Sequence, residues 1–252
     1  MAQDTRPPLA GQTALVTGAA RRIGAALTRA LHGAGANVVI HCRQSRAEAD
    51  TLAAELESER TDTTQVICAD LLDPDACEQL VAAARERWGR LDVVVNNASS
   101  FFPTPVGSVD AARFDDLIGS NLRAPMFVAQ AAAPALAASG GCIVNLADVH
   151  GMRPLDGHPV YCAAKAGLIM LTRSLARELA PDVRVNAIAP GSILWPETTG
   201  GTDPTNRQAV IEATPLARQG EPTDIVSALL YLVRDAHFVT GQVLTVDGGR
   251  GL

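Results

Sequence analysis

Short apolar runs that alternate with helical stretches predict a single-domain α/β fold, a doubly wound parallel sheet with helices on both faces. Two further observations support this class. The 252 residues, 47% of them hydrophobic, suffice for one large core, and no repeat, low-complexity tract or linker interrupts the strand-helix series. TALVT at 13–17 is followed by a helix-like run over about 22–32, and NVVIH at 37–41 by one over about 45–60. TQVIC at 64–68 precedes a helix over about 74–88, and LDVVVNN at 91–97 precedes a long Ala-rich one over about 110–138. CIVNLA at 142–147, a helix over about 159–179 and VRVNAIAP at 183–190 continue the pattern, which closes with a helix over about 222–234 and QVLTVDGG. Right-handed crossovers turn such a series into a doubly wound sheet.

Outside this series lie residues 1–10, polar and proline-containing, expected as a flexible leader to a domain spanning 11–252. Residues 191–206, GSILWPETTGGTDPTN, have little periodicity and are expected as a substrate loop.

A formal charge of −6 argues against general affinity for nucleic acid or anionic membrane. The N-terminus lacks the apolar run of a signal peptide and no stretch reaches spanning length, so the expectation is a cytoplasmic protein. Five cysteines, scattered and without CxxC spacing, point to reduced packing residues and no metal site.

Chemistry concentrates between Asp148 and Lys165. Lys165 is the only lysine beside twenty arginines, which suggests a task needing a compact ammonium. On a helix beginning near Pro159, Tyr161 and Lys165 are four apart and share a face. Near the other end of the chain, Gly18-Ala-Ala-Arg21-Arg22-Ile23-Gly24 stands where the first strand turns into the first helix, a site suited to phosphate. This is the Rossmann-like arrangement, in which an acidic residue after the second strand reads a ribose 2′-OH and positive charge reads a 2′-phosphate. Here His41, Arg43, Ser45 and Arg46 follow the second strand, favouring NADPH. Asp70 is placed to meet the adenine, and Asn96-Asn97-Ala98 ends the fourth strand at the ligand-binding edge.

Taken together, TGAARRIG, NNAS, Asn121, YxxxK at 161–165, PG at 190–191 and TGQVLTVDGG resemble the short-chain dehydrogenase/reductase family over nearly the whole chain. The resemblance implies a proton-donating Tyr161, a Lys165 that grips the nicotinamide ribose and lowers the phenol's pKa, and an Asn121 that holds the lysine through water. It also implies cofactor contacts from Gly18, Arg21, Arg22, Ile23, Gly24, His41, Arg43, Ser45, Asp70, Leu71, Asn97, Ala98, Ser99, Pro190, Gly191 and Ser192, and a homotetramer.

Two departures redirect the reading. Asp148 stands thirteen residues before the tyrosine, where the family usually has a serine, and Arg22 replaces the usual middle glycine. Both are similar to the pteridine reductase branch, as are NNASSFFPTP at 96–105 and HCRQSRAEA at 41–49. That similarity implies a catalytic Asp148, Tyr161 and Lys165, with Phe101 stacked on a pterin. Ser99, Arg22, Leu194 and Trp195 complete the expected substrate contacts. Gln44 between Arg43 and Ser45 departs from the branch, and only Arg250-Gly251-Leu252 follow the final glycine pair. The expected activity is NADPH-dependent reduction of a pterin or folate. A 3-oxoacyl-type carbonyl reductase and a non-catalytic NADP(H) sensor are the alternatives.

Overall fold

β-Branched residues dominate the central strands, where stiff side chains pack well on a pleated surface. In the computed structural model, which describes residues 7–195 and 204–252, they build β1 (Thr13–Val16), β2 (Asn37–Cys42), β3 (Thr64–Cys68), β4 (Val93–Asn96), β5 (Cys142–Leu146), β6 (Arg184–Pro190) and β7 (Val243–Val246). All pair in parallel, in the order β3-β2-β1-β4-β5-β6-β7. The order reverses between β1 and β4. Chains leaving their carboxyl ends diverge there, opening the crevice in which such sheets bind ligands.

Eight helices are described: α1 (Arg22–Gly33), α2 (Arg46–Glu59), α3 (Pro74–Trp88), α4 (Ala111–Ile118), α5 (Ala124–Ser139), α6 (Pro159–Glu178), α7 (Pro204–Glu212) and α8 (Pro222–Leu230). Strand residues alternate between two cores. Val38 and Ile40 face Leu27, Leu31, Leu52, Leu56 and Leu229 of α1, α2 and α8. Leu15 and Val39 belong to the opposite core, with Leu80, Val128, Leu136 and Leu175 of α3, α5 and α6. Each such leucine contributes about 1.5–3 kcal/mol by leaving water.

Three expectations change. The 110–138 helix is interrupted by a π turn at Gly119–Arg123, because that turn carries Asn121 inward and Arg123 to the Leu72 carbonyl. The domain begins before residue 11: Leu9 is buried in the first core and its N–H donates to Ala34 O. Residues 1–6 of the expected leader lie outside the described residues. Of the 191–206 loop, residues 196–203 lie outside them too, and α7 already begins at Pro204.

Candidate active site

The glycine turn is shaped by close approach. Gly18 adopts φ +61°, and a side chain there would stand 2.9 Å from Ala98 Cα. A Cβ on Gly24 would fall 2.1 Å from Gly18 O. Asn97 Nδ2 donates to both Thr17 O and Gly18 O at 2.9 Å, tying the turn to the end of β4. The first turn of α1 carries neither a side-chain cap nor an acidic residue. Such an end favours an anion.

Arg22 also occupies the left-handed region, at φ +54°, which costs a non-glycine residue about 1 kcal/mol. Its Nη2 donates to Leu194 O at 3.3 Å and Trp195 O at 3.1 Å. The guanidinium therefore joins the turn to the start of the 191–206 segment, where Arg207 lies 5.3 Å over the Trp195 ring.

A cleft of about 410 Å³ opens beside this turn. Of the residues assigned to the cofactor, Gly18, Arg21, Arg22, Ile23, Gly24, His41, Arg43, Ser45, Asp70, Leu71, Asn97, Ala98 and Ser99 are brought together along it. Cys42, Leu72, Ser100 and Ser120, which the sequence did not single out, also line it, as does Gln44, which it marked only as a departure from the branch. Ser120 in particular carries no local motif and reaches the cleft only because α4 ends in the π turn. Pro190, Gly191 and Ser192 line no part of this cleft. Gly191 is pressed against Asp247, and Ser192 faces a separate cavity of about 110 Å³ with Ile193 and Thr214.

Charge in the cleft is more balanced than the arginine count suggests. Arg43 pairs with Asp70 at 3.0 Å and lies 3.8 Å from Asp116, while Arg21 lies 3.8 Å from Glu48. Arg46 binds Asp50 with both carboxylate oxygens at 2.8 Å and does not line the cleft. His41 adds no positive charge. Burial lowers its pKa, and its Nδ1 accepts Gly18 N–H at 3.1 Å while Nε2–H donates to Ala69 O at 3.1 Å. It braces the turn as a neutral ring.

The cleft ends at Ser100 and Ser120, one residue from Phe101 and Asn121, and the acid-phenol-amine set begins there. Asp148 caps a 3₁₀ turn (Val149–Gly151), its Oδ1 accepting His150 N–H at 2.8 Å. Gly151 lets this turn lie on the backbone of α6, since a Cβ would stand 2.8 Å from Lys165 C. That contact brings Asp148 to Tyr161, whose Oη donates to Asp148 Oδ2 at 2.7 Å. Pro159 starts α6 at a position where its missing N–H is harmless. Four residues past Tyr161, Lys165 Nζ donates to Leu146 O at 2.7 Å and lies 5.7 Å from the Tyr161 ring centroid.

Burial pushes the Tyr161 phenol well above its ordinary pKa, and the Asp148 carboxylate pushes it further. Against the expectation that Lys165 makes the phenol more acidic, burial and the hydrogen-bonded Asp148 carboxylate act in the opposite direction. Burial also lowers the Lys165 ammonium to about 8, opposed by Asp148. Asn121 Nδ2 donates to Ser100 O and Leu117 O at 2.9 Å. Its buried Oδ1 has no protein partner among the described residues and is an acceptor fit for water.

The two phenylalanines after Ser100 divide. Phe102 packs under the loop with Leu117, Val160 and Tyr161. Phe101 is 50% exposed, stacked on His158 at 4.8 Å and edge-on to Tyr161 at 4.8 Å. It forms an aromatic wall at the phenol. Leu194 and Trp195 are half-buried.

A family model described as enoyl-(acyl carrier protein) reductase matches residues 18–250. The chain belongs to the short-chain dehydrogenase/reductase family. Its similarity to individual members runs nearly end to end. L-xylulose reductase of Bos taurus is 38% identical over 96% of this chain and 97% of its own. Pteridine reductase 1 of Leishmania tarentolae is 35% identical over 95% and 96%. A 3-oxoacyl-[acyl-carrier-protein] reductase of Synechocystis is 36% identical over 96% and 97%. Among solved structures, one described as a short-chain alcohol dehydrogenase from Sinorhizobium meliloti superposes with a TM-score of 0.91 at 36% identity, covering 96% of this chain and 97% of that one. As a short-chain dehydrogenase/reductase the chain is an oxidoreductase, and members of this family bind NAD(P)(H). The residues present fit such a group: the turn a Cβ would fill, the uncapped α1 terminus and the cleft beside them suit a dinucleotide.

Proposed function

We propose that the protein reduces a C=N bond of an oxidised or dihydro pterin, or of a folate, using NADPH. The observation that carries this reading is the 2.7 Å hydrogen bond from Tyr161 to Asp148. A carboxylate in this place is a poor neighbour for the oxyanion of a reacting ketone. It suits a substrate whose ring nitrogen must gain a proton.

In this reading Gly18, Arg21, Arg22, Ile23 and Gly24 hold the cofactor pyrophosphate, and Arg43 and Ser45 the 2′-phosphate. Asp70 and Leu71 serve the adenine, Lys165 the ribose, and Asn97, Ala98, Ser99, Pro190, Gly191 and Ser192 the remaining contacts. The reduced nicotinamide supplies the hydride. Tyr161 keeps its proton until a ring nitrogen accepts it, and Asp148, already hydrogen-bonded to the phenol, relays the replacement. Phe101 supplies a flat wall that orients the heterocycle, with Ser99, Arg22, Leu194 and Trp195 around it. A homotetramer in the cytoplasm completes the proposal, and sedimentation velocity and cell fractionation test that part.

The similarity to L-xylulose reductase and to a 3-oxoacyl reductase, at identities no lower than that to pteridine reductase 1, favours a second reading, a carbonyl reductase in which Asp148 takes the serine's place. Following NADPH absorbance in parallel with dihydrobiopterin, dihydrofolate and a β-ketoacyl ester separates them. Turnover of the pterin or folate supports the proposal, and turnover of the ketoacyl ester alone replaces it with the second reading. Cofactor binding without any oxidation indicates a sensor. Comparable kcat/KM with NADH and NADPH refutes the roles given to Arg22, Arg43 and Ser45.

A further inference from the structure

Beside the dinucleotide cleft stand two thiols that the reduction does not use. Cys42 ends β2, Cys68 ends β3, and the parallel register makes them direct partners. Equal register puts both side chains on the sheet face that also carries Ile40 and Val66. Their Sγ atoms are 3.1 Å apart.

Register partners on adjacent strands have Cα atoms about 4.8 Å apart, within the roughly 4.4–6.8 Å that a disulfide spans. Closing the gap to a bond of about 2.05 Å moves the sulfurs about 1 Å in total and leaves the strand pairing in place.

The two thiols differ in access. Cys68 is exposed on β3, the edge strand. Cys42 is buried and lines the cleft. Burial pushes the Cys42 thiol up to about 12, so it stays protonated until its neighbour changes. An oxidant therefore meets Cys68 first, and Cys42 resolves the product.

We propose that Cys42 and Cys68 form a reversible redox site, oxidised by a hydroperoxide to a disulfide that loosens dinucleotide binding in the adjoining cleft. The Cys68 sulfur attacks a peroxide oxygen, the O–O bond breaks, water leaves and a sulfenic acid remains. The Cys42 sulfur then attacks that sulfur, the S–O bond breaks, and a second water leaves with the Cys42 proton. Two thiols and one hydrogen peroxide give one disulfide and two waters, the sulfurs losing the two electrons that the peroxide oxygens gain. A dithiol reductant reverses the change.

Binding responds because Arg43, Gln44 and Ser45 follow Cys42 directly along the cleft wall. Asp70, two residues past Cys68, holds Arg43 at 3.0 Å. Drawing the sulfurs together shifts the supports of both. The regulatory half rests on the dinucleotide reading above, whereas the covalent half does not.

The test treats the full-length protein with a small excess of hydrogen peroxide, then measures intact mass, free thiols, cross-linked peptides and NADPH affinity by fluorescence titration. We expect two of the five thiols to be lost, a mass lower by two hydrogens and a Cys42–Cys68 cross-link. NADPH Kd should rise about tenfold and return with dithiothreitol. Cys68→Ser should keep the affinity of the reduced protein and lose the response. Oxidation that stops at a sulfinic acid on Cys68, or links other cysteines, overturns the site. The expected cross-link with unchanged affinity overturns the regulation. Reduced protein that binds no NADPH overturns the dinucleotide reading and the regulatory half with it, while the thiol count still decides the covalent half.

Discussion

Tyr161 donates its phenolic proton to Asp148 across 2.7 Å, and the acceptor sits thirteen residues earlier in the chain on a different element. In the isolated site that bond stabilises the protonated phenol. Proton delivery must therefore await a substrate basic enough to take it.

Replacing Asp148 with serine should lower kcat for dihydropterin about 100-fold, in the range typical for a lost acid-base partner. NADPH affinity should stay within about twofold, because Asp148 does not line the dinucleotide cleft. Unchanged turnover at saturating NADPH would remove Asp148 from the proton path.

Lys165, as the only lysine, gives one signal in protein labelled with side-chain [13C]lysine. Its titration should centre near pH 8, since burial lowers the ammonium to about 8. The sign follows from comparison with the unfolded chain, where the ammonium holds its proton to about 10.4. Between those values the folded protein binds fewer protons, so this residue makes stability rise with pH through that window and cost stability below it. A midpoint near 10 would contradict the burial argument.

His41 produces a second pH effect in the acid range. Burial depresses its folded pKa, whereas an unfolded histidine takes its proton near 6.5. Its contribution is complete above about 6.5 and is lost as pH falls toward the folded value, by up to about 1.4 kcal/mol per pH unit. His32, also lowered chiefly by burial, acts in the same direction. Urea midpoints should fall between about pH 7 and about pH 5.5, and the fall should lessen in a His41→Asn variant.

Gly24→Ala should destabilise the fold by about 1–3 kcal/mol, because the added methyl would stand 2.1 Å from Gly18 O and 2.7 Å from Asn97 Nδ2. Thermal unfolding measures the loss, and a Tm equal to wild type would mean that the turn can move.

Arg22→Gly should separate stability from binding. Glycine adopts φ +54° without strain, offsetting part of what is lost with the Leu194 and Trp195 carbonyl contacts. Tm should change by no more than about 4 °C, while KM for the second substrate rises several-fold. An unchanged KM would detach Arg22 from the loop.

Alternation of apolar strands and helices made the doubly wound parallel sheet legible in advance, though not its strand order, and glycine spacing marked the phosphate turn. What stayed hidden depends on register and packing. Cys42 and Cys68 are scattered in sequence and meet only because β2 and β3 pair in one register. Arg43 reads as a spare positive charge until folding brings Asp70 to it, and His41 reads as basic until burial is known. The raised Tyr161 pKa has the same origin, since YxxxK spacing shows neither the burial of the phenol nor its hydrogen bond to Asp148.

The π turn at Gly119–Arg123 shows where this chain can vary in length. Such a turn holds one residue more than an α-helical turn. Because each of its residues advances less than the ~100° of an α-helical residue, it absorbs the extra residue with the helices on either side nearly in phase. Leu117 before the turn and Val128 after it, both fully buried, would therefore keep their faces if one residue were deleted there. What such a deletion would remove is the widened turn that carries Asn121 to the Ser100 carbonyl, so a relative lacking it would keep the packing of both helices and differ at the site.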